Sequence, residues 1–384
     1  MPVLDSSAML AETGSSISDA QVAPAAARHW PERYNMLDGW RGLAALGVLF
    51  HHLGIADIGT ESVMLFFVIS GYCITAAAET GLRRGLRFRS FMWRRVRRIY
   101  PPYLLAFCFF VVTRLVRVAV GGKEFHLTPI QWLQNITLTQ WLSIPFGPPM
   151  AALDNRTNAV AAFWSLQYEE QFYLIVAMLM LLRASSMRVI TALLIGTSLV
   201  YVFCFGPRAT GFFLDYWFHF GLGAAVFYRL CRMPPTFSRH MLDAALVLAA
   251  AAAWVLAVSN AMPGPRPVLM EISVTLTFAV VLIVVRRVDR LFAAGMPGRL
   301  LMALGLISYS LYLVHQFNLM LVQGVAQRLT GSAANSTAVL SISVVFHLAI
   351  ATVFWFFCER PFLNRRIVPP QDVVSPADVA ARSV

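Results

Sequence analysis

Apolar stretches close to 20 residues long recur from one end of this chain to the other, and that recurrence constrains its fold more than any other feature. An α-helix rises 1.5 Å per residue, so such a stretch is long enough to cross the ~30 Å hydrocarbon core of a bilayer. Inside lipid every backbone N–H and C=O must find a partner within the protein, which leaves helices or closed barrels. A barrel would show short strands alternating apolar and polar residues, and no such pattern occurs. The expected fold is therefore all-α, a polytopic transmembrane helical bundle. Composition agrees. Hydrophobic residues make up 58% of the chain and charged residues 13%, against about 25% charged in an average soluble domain. Those proportions exclude a disordered chain and weigh heavily against a soluble enzyme.

About ten spans can be drawn, at roughly 39–56, 61–78, 100–120, 163–182, 189–206, 212–230, 241–258, 268–285, 300–324 and 337–358. Arginine and lysine then set the orientation, because they collect in cytoplasmic loops. With both termini cytoplasmic, Lys123, Arg156, Arg208, Arg266 and Arg328 lie outside, Arg114 and Arg117 fall within the third span, and the other 24 of 31 basic residues lie inside or at that edge. The reverse orientation would export the dense Arg83–Arg98 cluster. A formal net charge of +12 thus reads as topology, and no nucleic-acid partner is expected. The domain plan is a polar, disordered cytoplasmic tail over 1–35, a membrane core over 36–362 and a cytoplasmic C-terminal tail over 363–384. No cleaved signal peptide is expected, since residues 1–27 carry neither a basic residue nor an apolar core segment. Segment 121–162, rich in Pro, Asn, Thr and Trp, is the one sizeable external segment, long enough to cover a cavity mouth. Five scattered cysteines without a Cys-x-x-Cys pair suit neither a disulfide framework nor a zinc site, so no metal is expected. No internal repeat is visible.

Charged and imidazole side chains inside apolar runs are costly, by roughly 2.5–3.5 kcal/mol for Arg on insertion scales, and point to a cavity. The first span contains Leu37-Asp38-Gly39-Trp40-Arg41-Gly42 and, further on, Phe50-His51-His52. At 100° per residue, His52 lies within about 20° of the face that carries Arg41 and roughly 16 Å along the axis. His51 points about 100° away. The run Arg94-Arg95-Val96-Arg97-Arg98-Ile99-Tyr100-Pro101-Pro102 precedes the third span, where arginines can anchor a helix at headgroups. Arg95 and Arg98, an i, i+3 pair, also suit bidentate contact with phosphate. Glu169 and Glu170 sit in Trp164-Ser165-Leu166-Gln167-Tyr168-Glu169-Glu170-Gln171-Phe172-Tyr173, and at most one of them can face a given cavity. Ile307-Ser308-Tyr309-Ser310-Leu311-Tyr312-Leu313-Val314-His315 puts another histidine in an apolar run. Asp215 and His219 are an i, i+4 pair that a structural hydrogen bond would explain.

In order and spacing, these segments together resemble the acyltransferase 3 family of integral membrane acyltransferases. The resemblance runs from about Leu37 to Phe362 and includes Phe66-Phe67-Val68-Ile69-Ser70-Gly71-Tyr72. It implies transfer of an acyl group, most often acetyl, from cytoplasmic acyl-CoA to a hydroxyl. The family spacing of ten residues between Arg and His selects His52; counting from the aromatic Phe50 selects His51. Helix phase favours His52. Some members carry an added soluble hydrolase-like domain, and without one the membrane core is expected to complete acyl delivery itself.

The expected roles follow. His52, Arg41, Glu169 and Glu170 are the catalytic set, with His52 as general base or acyl-histidine relay. Arg95, Arg98, Arg94 and Tyr100 hold the acyl-CoA. Asp38, Tyr309 and His315 contact the acceptor, expected to be a glycan hydroxyl such as that of an exported polysaccharide, in a cytoplasmic (inner) membrane. Two alternatives remain: acylation of a small macrolide-like metabolite, or a transporter with a buried Arg/Glu/His pathway, which the lack of repeats disfavours. Oligomeric state is not readable.

Overall fold

The computed structural model describes residues 34–86, 88–121, 126–142, 159–182, 184–205, 211–259 and 266–363. Of the expected tails over 1–35 and 363–384, all but residues 34, 35 and 363 lie outside the described residues. The described chain is 13 α-helices with short 3-10 and π turns and no strand. In order these are α1 (Leu37–His52), α2 (Gly59–Arg83), α3 (Phe88–Ala119), α4 (Pro129–Thr137), α5 (Trp164–Leu179), α6 (Ala184–Phe205), α7 (Trp217–Cys231), α8 (Phe237–Val258), α9 (Arg266–Val285), α10 (Asp289–Ala294), α11 (Met296–Leu306), α12 (Ser308–Thr330) and α13 (Thr337–Phe354).

Among the described residues, six helices are long and apolar enough to cross a membrane: α2, α3, α6, α8, α9 and α13 with its terminal turns. A seventh crossing arises if α11 and α12 count as one span, bent by 62° at Ile307. The other three apolar stretches form α1, α5 and α7, only 16, 16 and 15 residues long. The 3-10 turns Ala161–Phe163 and Phe213–Asp215 lead into α5 and α7.

Small residues set the central crossings. A Cβ on Gly71 of α2 would stand 1.9 Å from the Phe220 carbonyl oxygen of α7, and one on Gly223 of α7 would stand 1.9 Å from the Val68 carbonyl oxygen. The two backbones therefore touch, as only glycine permits. Phe67, Phe172 and Phe220 stack between α2, α5 and α7, with ring centroids 4.4 and 4.3 Å apart.

Segment 121–162, expected on the external side, is not purely loop. Thr128 and Gln131 form a capping box that starts α4, a Thr-x-x-Gln signal present in the sequence. α4 then packs back on α3: the Tyr103 hydroxyl donates to the Asn135 carbonyl, and the Tyr100 hydroxyl lies 2.9 Å from the Thr137 carbonyl oxygen. Residues 143–158 of that segment lie outside the described residues.

Candidate active site

Five helices supply the site, and backbone proximity explains part of its placement. A Cβ on Gly42 would lie 2.8 Å from the Gly305 amide nitrogen, and one on Gly305 would lie 1.9 Å from the Asp38 carbonyl oxygen. The first turns of α1 thus rest directly on the end of α11, just before the bend that starts α12. Arg41 of α1 and Tyr309 of α12 line the same cavity.

That cavity is also lined by Ser70 and Cys73 of α2, Arg95 and Arg98 of α3, and Glu169 and Tyr173 of α5. A second cavity shares Arg41, Ser70, Glu169 and Tyr309 with it, then continues along Phe66, Ser165 and Tyr312. The two form one passage with a cationic end and an aromatic end.

At the cationic end, Arg41, Arg95 and Arg98 have no hydrogen-bond or ion-pair partner among the described residues. Arg95 lies over the rings of Phe91 and Tyr173, at 5.3 and 6.0 Å. Arg98 interacts at longer range with Glu169 and Glu359. Three arginines thus face two carboxylates, and Glu169 is occupied: its Oε1 accepts from Ser70 Oγ at 2.9 Å and from the Tyr173 hydroxyl. Buried Glu359 accepts from Ser310 Oγ at 2.5 Å. A half-buried guanidinium without an acceptor forgoes charge-assisted bonds worth up to about 1.5–3 kcal/mol each, so the chemistry of this end suits an anion.

At the aromatic end, the Tyr312 hydroxyl donates to the Ala162 carbonyl, which leaves Ser165 Oγ to donate to Tyr312 at 2.7 Å. The Tyr312 and His315 rings are 5.9 Å apart, and those of His315 and His52 5.0 Å. His315 Nδ1 lies 2.8 Å from the Tyr312 carbonyl, which can only accept, so Nδ1 carries the proton. Its Nε2 is buried with no hydrogen-bond partner among the described residues. His347 Nε2 lies 3.2 Å from the His315 carbonyl. His51 turns the other way, with Nδ1 3.1 Å from exposed Asp57.

The expected residues therefore separate into those that converge and those that do not. Arg41, Arg95, Arg98, Glu169 and Tyr309 share one cavity, and His52 and His315 form a pair beyond it. Glu170 points elsewhere, its Oε1 2.5 Å from the Tyr100 hydroxyl at the wall made by α4. Tyr100 and Arg94 do not line the passage, and neither does Asp38, in the first turn of α1. Arg97 instead donates to the Phe362 and Leu363 carbonyls, at 3.3 and 3.1 Å. Asp215 and His219 each have a partner of their own, Tyr168 at 3.0 Å and Thr275 at 3.2 Å. Sequence reasoning missed the roles of Ser70, Tyr173 and Glu359. A serine inside an apolar helix and a glutamate at a span end were the available signals. Among the described residues, no group of His, Cys, Asp or Glu is placed to hold a metal ion.

Comparison with known proteins bears on this arrangement. Residues 34–358 match the model of an acyltransferase domain family. The chain is 33% identical over 154 residues to YrhL of Bacillus subtilis, and 30% identical over 149 residues to the peptidoglycan O-acetyltransferase OatA of Listeria monocytogenes. It is 28% identical over 146 residues to the O-acetyltransferase OatA of Staphylococcus aureus. Each match covers 36% of this chain but only 22–23% of the relative, so the aligned part is less than a quarter of those proteins. No solved structure matches the chain.

Proposed function

Because the chain belongs to this acyltransferase family, we propose that it is a membrane O-acyltransferase that moves an acyl group, acetyl in the first instance, from cytoplasmic acyl-CoA to a glycan hydroxyl such as that of an exported polysaccharide. One observation carries the reading: three unpartnered arginines line a cavity that continues past Glu169 and Tyr309 towards Tyr312, with the His315–His52 pair beyond.

In this proposal Arg95 and Arg98 take the phosphates of the donor, with Arg41 nearer the thioester. The pantetheine arm lies along Ser70, Glu169 and Tyr309. His52 accepts the proton of the attacking hydroxyl as its oxygen bonds to the thioester carbonyl, and CoA leaves with its sulfur reprotonated. Protonated Nδ1 of His315 leaves a lone pair on Nε2, an acceptor for the incoming hydroxyl. Glu169 holds Ser70 and Tyr173 in place, and Glu170 supports the wall through Tyr100. The membrane frame is a core over 36–362 in the cytoplasmic membrane. It has ten crossings, with the short helices α1, α5 and α7 added to the seven, and both termini on the cytoplasmic side.

The test is label transfer from radiolabelled acetyl-CoA by purified protein, supplied with polysaccharide from cells lacking the gene. Label in the glycan that disappears in the His52→Ala protein is expected. Stable acetyl-CoA with no label moved, under conditions where CoA binds, would refute it.

A further inference from the structure

A cavity of about 300 Å³ lies where the end of α7, the start of α8 and the end of α9 meet, and the acyl-transfer reading makes no use of it. Its rim carries Arg229, Arg239, Arg286 and Arg287, with a single carboxylate, Asp243, among them. Two of the four arginines are committed. Arg229, itself buried, makes a two-pronged contact with Asp243, and Arg286 donates to Asp289 at 3.0 Å while lying over the Tyr34 ring. Arg239 and Arg287 have no hydrogen-bond or ion-pair partner among the described residues. Below this rim the wall is aliphatic. Val247 and Val284 are 50% and 62% exposed there, on helices apolar enough to cross a membrane.

We propose that this cavity binds one anionic phospholipid, its phosphate clamped between Arg239 and Arg287 and its acyl chains lying over Val247 and Val284. The chemistry selects each part of that ligand. Two guanidiniums without a hydrogen-bonded carboxylate, in a rim of four arginines against one aspartate, match a phosphodiester with planar, two-pronged bonds. Two positive charges exceed the charge of one phosphate, so an added headgroup ammonium is disfavoured, and phosphatidylglycerol fits better than phosphatidylethanolamine. The exposed aliphatic wall leads from the rim into the bilayer, which a free phosphate would leave uncovered. Basic pockets between helices at the cytoplasmic edge suit such headgroups.

The test uses the full chain purified in detergent, with native mass spectrometry of added phosphatidylglycerol or phosphatidylethanolamine. Arg239→Gln/Arg287→Gln and Val247→Asn/Val284→Asn variants are compared with wild type. Selective retention of phosphatidylglycerol is expected. It should weaken about thirtyfold in the double-Gln protein, at roughly one surface-arginine contribution per residue, and weaken measurably in the double-Asn protein. Both variants should melt close to wild type, since neither pair supports an internal hydrogen bond. Equal retention of the two lipids would overturn the proposal. So would equal retention by wild type and double-Gln protein. A third overturning result is inorganic phosphate binding with the same arginine dependence while the lipid does not bind, which would make the site a soluble-anion site.

Discussion

Replacing Arg95 and Arg98 together by lysine separates a donor site from a headgroup anchor. The exchange keeps net charge, the positive-inside signal and attraction to anionic lipid, and removes only the planar fork. Because neither guanidinium is hydrogen-bonded within the described residues, the exchange breaks no internal bond and the fold should survive. Each lysine keeps a point charge but loses at least one charge-assisted hydrogen bond to phosphate, about 1.5 kcal/mol at the low end. Two such losses total about 3 kcal/mol, or roughly a hundredfold in Kd. Calorimetric titration of CoA into detergent-solubilised wild type and variant measures this directly. The Arg97→Lys protein is the control. It changes the same motif, but Arg97 is spent on the Phe362 and Leu363 carbonyls, so CoA affinity should stay within about twofold. Equal affinities for wild type and the Arg95/Arg98 double-Lys protein would refute the donor assignment.

His52→Ala should lower acyl transfer by about 10²–10⁴ without weakening CoA binding, while His51→Ala should cost far less; the reverse order in a transfer assay would move the base to His51. Glu170→Ala should lower thermal stability, because it removes the carboxylate that accepts from the Tyr100 hydroxyl, and leave CoA affinity unchanged; a large affinity loss in titration would show that it faces the donor after all. Gly223→Ala forces a methyl to within 1.9 Å of the Val68 carbonyl and should destabilise the α2–α7 crossing by about 1–3 kcal/mol or more. An unchanged melting temperature in detergent would contradict that packing.

What the sequence made legible was whatever depends on one helix at a time. Each apolar stretch became a helix, and helix phase anticipated that Glu169 and Glu170 diverge, and likewise His51 and His52, as their separate partners show. What it hid depends on several helices at once. Ser70 joins the passage because Gly71 brings α2 against α7 and leaves its neighbour facing Glu169 of α5. Glu359 joins Ser310 because the π turn Trp355–Glu359 carries the end of α13 to the start of α12. Tyr100 reads as part of an arginine-rich motif, yet the fold-back of α4 claims it. No periodicity within α3 encodes a contact made by a segment some 35 residues later.

The same contrast bears on why two of the five helices that supply the site, α1 and α5, are short. α6 and α8 have only 17% and 11% of their apolar windows buried, so they present their length to lipid, whereas α2 has 61% buried. α1, α5 and α7 are mostly buried, with Leu43 of α1 and Met178 of α5 still exposed, and they carry Arg41, Glu169 and buried aromatic rings. A helix that faces the hydrocarbon over little of its length does not have to match its thickness. Sixteen residues rise about 24 Å, against roughly 30 Å for the bilayer core, so a centre built from such helices brings its two mouths about 6 Å closer together. The shortening has an electrostatic return as well. Arginines in the first turns of a short inner helix stay within reach of water at one mouth, which lowers the cost of keeping them charged before an anion arrives. Short α1 thus accommodates both ends of the proposed reaction, an arginine near one mouth and a histidine near the other, on a single face of one helix.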